Sequence, residues 1–533
     1  MIKILVADPL AEQGLKKIAD MEGVEADVKT GLSEDELAAV AGDYDGMIVR
    51  SGVQVTAKVL EKPGKLRVIA RAGVGVDNID LQAASKAGVL VMNTPDANTI
   101  STAEQTLSLM LAMSRHTPKA DAHVRERQWK RKQFVGTQLA GKTLGIIGLG
   151  RVGRAVAVRA LAFDMKVVAY DPFYSGETAM EGKIKMVATR DEVFAEADYL
   201  ALHTKLSDET KGMINAENIA KMKPGVRIVN SSRGGVINDA DLAKALADGK
   251  VAAAAIDVYT TEPPAEDNPL LDAPNTVLAP HLGASTKEAQ LAVTLDAVDA
   301  LLEYLTKGEI RWGVNVSGLP AQLTDRDKAY LDLARRMGML LSHLGTGVIE
   351  SVTVMTHGES LEPLGATIQK QVLIDMLNPN VIERLNLINI GAFVKERGLK
   401  LELKAALAAD AETDRVTVIV QTKDGKHQIS GEVFVDGRPR IMAINAYQMN
   451  LEPEGEMVLI FNNDEPGVIG LVGKIFGDEK INIADMTLSR QANTALMVLK
   501  LDAPIPSTAL QKLEASKPQI IKVLPVTLPA IGC

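Results

Sequence analysis

The run Thr143-Leu144-Gly145-Ile146-Ile147 leads directly into Gly148-Leu149-Gly150-Arg151-Val152-Gly153, and no other stretch of the 533 residues constrains the fold as tightly. A short apolar strand that ends on Gly-x-Gly-x-x-Gly and opens a helix is the core of a nucleotide-binding βαβ unit. Gly148 permits the tight turn, Gly150 lets backbone approach a pyrophosphate, and Gly153 lets helix and strand pack closely. The helix start then offers free amides and a partial positive charge to phosphate. The next apolar run, Lys166–Tyr170, is followed by Asp171. A carboxylate there accepts bonds from adenosine ribose hydroxyls and repels a 2′-phosphate, which favours NAD over NADP.

Strand-like and helix-like segments alternate on both sides of this motif. Ile4–Ala7, Gly46–Val49, Val68–Ala70 and Val89–Met92 read as buried strands, with helices over Glu12–Ala19, Glu34–Val40 and Leu81–Ala87. Ser33 and Glu36 have the spacing of a capping box. Beyond a long helix, about Thr99–Arg115, a second series has strands at Thr143–Ile147, Lys166–Tyr170, Tyr199–His203, Arg227–Asn230, Ala253–Asp257 and Thr276–Ala279. This alternation predicts an α/β chain with two doubly wound parallel-sheet lobes. After Ser317-Gly318-Leu319-Pro320 the pattern changes to an α+β block with Asp-Gly hairpin signals at Asp424-Gly425 and Asp436-Gly437. The last segment reads βαββαβ, a ferredoxin-like unit.

Lys and Arg number 59 against 68 Asp and Glu, a net charge of −9, and aromatics are 3%. Such a chain lacks both the cationic surface and the stacking platforms of a nucleic-acid binder. The one cysteine, Cys533, excludes a disulfide framework and a cysteine-based metal site. The first apolar run is too short for a signal peptide, and no run reaches the length of a membrane span. The expected setting is the cytoplasm, with no metal and no membrane partner.

Three ionisable residues follow strand ends of the second series: Arg233 in Asn230-Ser231-Ser232-Arg233-Gly234-Gly235, Glu262 in Asp257–Pro264, and His281 in Ala279–Thr286. Strand carboxyl ends face the ligand crevice in such sheets. Oxidation of an alcohol beside a carboxylate needs a base, a cation for the carboxylate, and an acid that orients the base. Histidine, arginine and glutamate supply those roles.

Gly148–Gly153, Asp171, Asn230–Gly235, Asp257–Pro264 and His281–Thr286 together resemble the D-isomer-specific 2-hydroxy acid dehydrogenases. The whole chain is similar to the long members of that family, those that oxidise 3-phospho-D-glycerate to 3-phosphohydroxypyruvate at the head of the phosphoserine route to L-serine. The resemblance implies carboxylate binding by Arg233, an orienting acid in Glu262 and an acid/base in His281. It implies NAD contacts at Gly148, Gly150, Arg151, Val152, Gly153, Asp171, Thr204, Ser231, Asp257 and Gly283. Lys205 stands where the family usually has proline. Substrate loops are expected at Arg50-Ser51, at Arg71 with Gly73 and Val74, and at Asn98. There the glycine-rich backbone suits a carboxylate and the two arginines a phosphate.

The basic run Arg125, Arg127, Lys130, Arg131 and Lys132 resembles a segment that reaches a neighbouring subunit, or is a solvated helix face. The C-terminal segment resembles an ACT domain, a small amino-acid-sensing module, with Asn462, Asp464 and Asn482 as the implied serine contacts. The implied organisation is a substrate-binding domain at 1–98 and 286–316, an NAD-binding Rossmann domain at 99–285, an intervening domain at 319–452 and an ACT domain at 453–533. The assembly implied is a homo-oligomer, dimer or tetramer. The rival readings are another D-2-hydroxy acid dehydrogenase, or an NAD-sensing protein on the same scaffold without turnover.

Overall fold

Unbroken apolar runs become strands covered on both faces, and two parallel sheets result. The computed structural model describes residues 1–316, 323–345, 347–381, 384–406 and 414–531; Ser317–Pro320, after which the sequence pattern changes, and the terminal Cys533 lie outside the described residues. The first sheet contains β1 (Ile2–Val6), β2 (Val24–Val28), β3 (Gly46–Val49), β4 (Val68–Arg71) and β5 (Leu90–Met92) in the order β2-β1-β3-β4-β5. All its pairings are parallel. Ile4, Leu5, Val6, Met47, Ile48 and Val49 are fully buried. Strand β2 escaped the sequence reading because Val24-Glu25-Ala26-Asp27-Val28 carries two charges, as suits an exposed sheet edge. The capping box forms: the Ser33 N–H donates to Glu36 Oε2 at 2.8 Å, and the Glu36 N–H donates to Ser33 Oγ.

The second sheet contains β6 (Thr143–Ile147), β7 (Lys166–Tyr170), β8 (Thr178–Ala179), β9 (Ile184–Met186), β10 (Tyr199–Leu202), β11 (Val226–Asn230), β12 (Val251–Ile256) and β13 (Thr276–Leu278). Their order is β13-β12-β11-β10-β6-β7-β9-β8, with only the short edge pair β8–β9 antiparallel. Strand order reverses between β6 and β10, so the ligand crevice of this lobe lies at their carboxyl ends. The helix Thr99–Arg115 joins the core of this sheet through Leu107 and Met110. The helix Lys287–Lys307 returns to the first sheet, where Val298 and Leu301 pack with Ile4, Val6 and Ile48.

The third sheet contains β14 (Ile349–His357), β15 (Lys400–Ala406), β16 (Arg415–Thr422), β17 (Gly425–Val433), β18 (Pro439–Ile444) and β19 (Tyr447–Leu451), in the order β15-β14-β16-β17-β18-β19. The fourth, antiparallel throughout, contains β20 (Gly455–Asn463), β21 (Ile483–Gln491), β22 (Thr494–Leu501) and β23 (Ile520–Leu528) in the order β21-β22-β20-β23. With helices Val468–Asp478 and Ser507–Ala515 this is the expected βαββαβ unit.

One face of the fourth sheet (Met457, Leu459, Leu496, Val498, Val526 and Leu528) shares a core with Leu333, Met337 and Leu341 of the helix Asp325–Leu344. Arg336 on that helix is fully buried. Its guanidinium donates to Asp332 at 2.8 Å, to the Pro453 and Pro529 carbonyls at 2.7 Å each, and to the Ala530 carbonyl at 3.0 Å. A buried guanidinium is tolerable only when its donors are matched in this way. The last two sheets are therefore packed as one block, and the C-terminal sheet relies on the third for cover.

Candidate active site

Each glycine of the fingerprint has a visible reason. Gly148 adopts φ +95°, and a Cβ there would come within 2.5 Å of the His203 carbonyl at the end of β10. A Cβ on Gly153 would stand 2.1 Å from the Gly148 carbonyl, so only glycine lets the helix Arg151–Ala162 sit this close to β6. Above Gly150, the N-cap of that helix, nothing lies within 4 Å of where a Cβ would be. That open space beside unpaired helix-start amides fits a pyrophosphate. Thr204 Oγ1 is buried near this turn without a partner, which leaves a hydroxyl for a cofactor to satisfy.

Asp171 Oδ2 accepts the Leu149 N–H at 2.8 Å and Oδ1 accepts the Phe173 N–H at 2.9 Å. The acid thus fixes the glycine turn, and each oxygen keeps a lone pair for a ribose hydroxyl. Arg151 forms an ion pair with Asp96, and Val152 is half-buried beside it. Ser231 is buried, its hydroxyl 2.6 Å from Thr106 Oγ1. Lys205 is exposed, and its carbonyl accepts the Thr210 hydroxyl at 2.7 Å, which closes the loop where proline is usual.

His281 and Glu262, from separate connections, meet as expected: His281 Nδ1 lies 2.7 Å from Glu262 Oε2. The other Glu262 oxygen accepts the Tyr259 N–H at 3.1 Å. Burial pushes the Glu262 carboxyl up, but the bonds from His281 and the Tyr259 amide outweigh it, so it sits below the usual carboxylate value. His281 itself has φ +55°, a left-handed conformation uncommon for a non-glycine residue. Asp257 holds it there. This carboxylate has no exposed surface and accepts the Leu282 and Gly283 N–H groups at 2.8 and 2.9 Å. Burial raises its pKa against those bonds. The Gly283 carbonyl is bonded in turn by Ser101 Oγ at 2.7 Å. Asp257 and Gly283 therefore support the histidine loop from beneath.

The Arg233 turn lies against the Glu262 loop because Gly234 has no side chain; a Cβ there would come within 1.8 Å of the Tyr259 carbonyl. Asn230 shapes the turn, donating from Nδ2 to the Arg233 carbonyl at 2.9 Å while its Oδ1 accepts the Ser232 N–H. Arg233 Nε donates to Asp77 Oδ2 at 2.9 Å, a bond from the second lobe to the first. The roles of Asp77, Asn230 and Gly234 were not read from the sequence, although Asn230 and Gly234 stand inside the run Asn230–Gly235 that was.

On the first lobe, Arg71 lies over Gly73, whose Cβ would fall on the guanidinium. Burial, and then the neighbouring Arg233 cation, lower Arg71 to about 10. Arg50 is lowered mainly by burial, and its backbone N–H is held by Asp8 Oδ2 at 2.6 Å. The Nε atoms of Arg50 and Arg71 and Oδ1 of Asn98 are buried without partners. Buried donors are ordinarily satisfied, so the two guanidiniums have the character of an anion site, whereas Asn98 Oδ1 is an acceptor that calls for a donor. Ser51, beside Arg50, is exposed. One expectation needs correction: the Gly73 N–H is not free but donates to the Arg71 carbonyl at 2.9 Å, because the chain doubles back under the guanidinium. The Val74 carbonyl is fixed by Asn93 Nδ2 at 2.6 Å.

The three implied effector residues do not converge within one chain. Asn462, the last residue but one of β20, is buried and leaves Oδ1 unpaired. Asp464 follows the strand and pairs with Arg490 at 2.5–2.6 Å. Asn482 precedes β21 and donates to Asp502 at 2.8 Å. Strand β22 separates β20 from β21; Asn462 pairs with Ala495 near one end of it, whereas Ile483 pairs with Leu501 at the other. Six residues of strand, about 20 Å, separate the two places. Among the described residues no group of three or more His, Cys, Asp or Glu is placed to hold a metal ion, and no helix is long and apolar enough to cross a membrane.

The chain is similar to known proteins along most of its length. Residues 107–283 match the NAD-binding domain of the D-isomer specific 2-hydroxyacid dehydrogenases, and residues 327–445 match the D-3-phosphoglycerate dehydrogenase intervening domain. The D-3-phosphoglycerate dehydrogenase of Synechocystis is 39% identical over 96% of this chain and 92% of its own. That of Bacillus subtilis is 37% identical over 99% of this chain and all of its own. Among solved structures, NAD-bound 3-phosphoglycerate dehydrogenase from Entamoeba histolytica matches with a TM-score of 0.50 and 28% identity, over 59% of this chain and 98% of its own. An NAD-dependent formate dehydrogenase from Staphylococcus aureus in complex with NAD gives a TM-score of 0.53 at 27% identity, over 58% of this chain and 97% of its own. Sheet order, glycine turn and full-length similarity agree: the chain belongs to the D-3-phosphoglycerate dehydrogenase family, a branch of the NAD-dependent D-isomer-specific 2-hydroxyacid dehydrogenases.

Proposed function

We propose that this chain oxidises 3-phospho-D-glycerate to 3-phosphohydroxypyruvate with NAD, the first step of the phosphoserine route to L-serine, in the cytoplasm. The observation that carries the reading is the His281–Glu262 pair at 2.7 Å, with Arg233 near enough for its charge to act on Glu262 and bonded across to the first lobe at Asp77. Gly148, Gly150, Arg151, Val152, Gly153, Asp171, Thr204, Ser231, Asp257 and Gly283 form or support the NAD site. NAD, when bound, supplies the hydride acceptor. With Nδ1 committed to Glu262, His281 Nε2 takes the proton of the substrate hydroxyl, and returns it in the reverse direction. Glu262, held ionised, orients the imidazole and stabilises its protonated form. Arg233 binds the carboxylate and the carbonyl oxygen that develops. Arg50 and Arg71 take the phosphate, with Ser51, Gly73, Val74 and Asn98 lining the pocket. A sensor without turnover has no need of the histidine–glutamate pair. Purified chain given NAD and 3-phospho-D-glycerate should form NADH; absence of NADH with fully folded, NAD-binding protein defeats the reading.

The reading divides the chain into a substrate-binding domain (1–98 and 286–316), the NAD domain (99–285), an intervening domain (319–452) and an ACT regulatory domain (453–533), in a dimer or tetramer. NAD is preferred to NADP because Asp171 faces the position of the extra phosphate. Asp171→Ala should raise the KM for NAD and narrow the preference, as parallel kinetics with the two cofactors would record. Equal efficiency with both in the unmodified chain contradicts this role.

L-Serine is the proposed effector, with Asn462 and Asp464 of one copy meeting Asn482 of another. The acid suits the ammonium group and the amides suit the carboxylate and hydroxyl. Serine is expected to bind the whole chain and shift the apparent substrate affinity by about 1–3 kcal/mol, a typical coupling energy. Calorimetry and rates with added serine check this, and the whole chain is required because the C-terminal sheet shares its core with the third. No heat of binding at millimolar serine leaves the unit purely structural.

A further inference from the structure

Arg233 reaches across the cleft to a residue to which the sequence reading gave no role. Its Nε donates to Asp77 Oδ2 at 2.9 Å and Nη1 to the Ser232 carbonyl at 2.7 Å. Nη2 stands over Gly75, so close that a Cβ there would be 1.9 Å away. A guanidinium grips a carboxylate best through two parallel N–H groups on one edge. The Nε–Nη2 edge of Arg233 is the one turned toward Asp77 and Gly75, and it already holds a carboxylate oxygen.

We propose that Asp77 is a stand-in for the substrate carboxylate: it holds Arg233 across the cleft in the free enzyme and releases it to an incoming 2-hydroxy or 2-oxo acid. Three observations support the exchange. Asp77 is 67% exposed, so it re-enters water at little cost, whereas Arg233 is 29% exposed and its turn is braced by Asn230. Arg71 and Arg233 stand near enough to feel each other's charge, and Asp77 offsets that repulsion while no substrate is present. Finally, Asp77 and an incoming carboxylate both need the same edge of Arg233, and their like charges oppose simultaneous occupation. The bond also ties the lobes together, so substrate entry replaces a contact between the lobes with one through the substrate.

The proposal rests on Arg233 as the carboxylate-binding cation, and its test separates the two ideas. NAD-loaded full chain is titrated calorimetrically with oxalate, a planar two-carbon dicarboxylate, and assayed with 3-phospho-D-glycerate. Asp77→Asn should lower both the oxalate Kd and the substrate KM about two- to fivefold, the size of a partly exposed ion pair. Asp77→Glu, which restores the charge, should stay near the parent, and Asp77→Ser replaces the Asn variant if that one does not fold. Unchanged or raised Kd and KM in the neutral variant, whatever happens to kcat, overturn the proposal and make Asp77 a brace for Arg233. If the unmodified chain does not oxidise 3-phospho-D-glycerate, the functional reading fails, and the oxalate titration still decides the role of Asp77.

Discussion

His281→Ala is expected to lower kcat about 100- to 10,000-fold, the usual contribution of a general acid or base, while NAD affinity stays near that of the parent. The geometry gives the reason for both halves. His281 has no hydrogen bond to the glycine turn, and its side-chain partner is Glu262 at 2.7 Å. Its loop is held by backbone N–H bonds from Leu282 and Gly283 to Asp257, which survive loss of the imidazole. NAD binding by fluorescence titration and single-turnover rates measure the two effects separately. Near-full turnover in the variant would remove His281 from the mechanism.

Arg233→Ala should reduce kcat about 100- to 1,000-fold, as loss of one preorganised charge at the reacting carbonyl generally does, and should raise KM as well. Arg233→Lys should not restore the rate, because an ammonium cannot present two parallel donors to a carboxylate. The fold should tolerate both changes: the turn is shaped by Asn230 and Gly234 rather than by the guanidinium. Initial rates over a range of substrate concentrations, with thermal unfolding as a control, check this. A lysine variant close to the parent would show that Arg233 acts only as a diffuse positive charge.

Much of the catalytic half was legible because its signals are local. A consecutive apolar run means a strand buried on both faces, and Gly148, Gly150 and Gly153 each occupy a position where a side chain is disfavoured by turn, ligand space or helix packing. Arg233, Glu262 and His281 could be placed because strand carboxyl ends gather on one rim. Their neighbours were not legible. Asp77 and Arg233 are 156 residues apart, and nothing in either segment announces the other. Asp257 was read as a cofactor contact from the resemblance, yet its bonds to Leu282 and Gly283 make it first a support for the histidine loop.

The C-terminal unit shows the same limit at larger scale. Element order was readable from hydrophobic spacing and turns. Its consequence for the effector residues was not: β20 and β21 run in the same direction on either side of β22, which places Asn482 at the far end of β22 from Asn462. Nor does the segment after Leu451 announce that Met457, Leu459, Leu496 and Val498 lean on a helix more than a hundred residues earlier in the chain. Arg336 would pass as one more charge on an amphipathic helix, but it is the buried tie between those two parts.

The central claim is that the cleft recognises a phosphorylated 2-hydroxy acid through cations from both lobes. The most direct measurement compares kcat/KM of the NAD-loaded enzyme for 3-phospho-D-glycerate and for D-glycerate, which differ only in the phosphate that Arg50 and Arg71 are proposed to hold. A site in which Arg50 and Arg71 leave buried Nε donors without partners should discriminate strongly against the smaller acid, by about 100-fold or more, since those donors would stay unsatisfied. Equal efficiency, or a preference for D-glycerate, would contradict the account and assign the chain to a different 2-hydroxy acid.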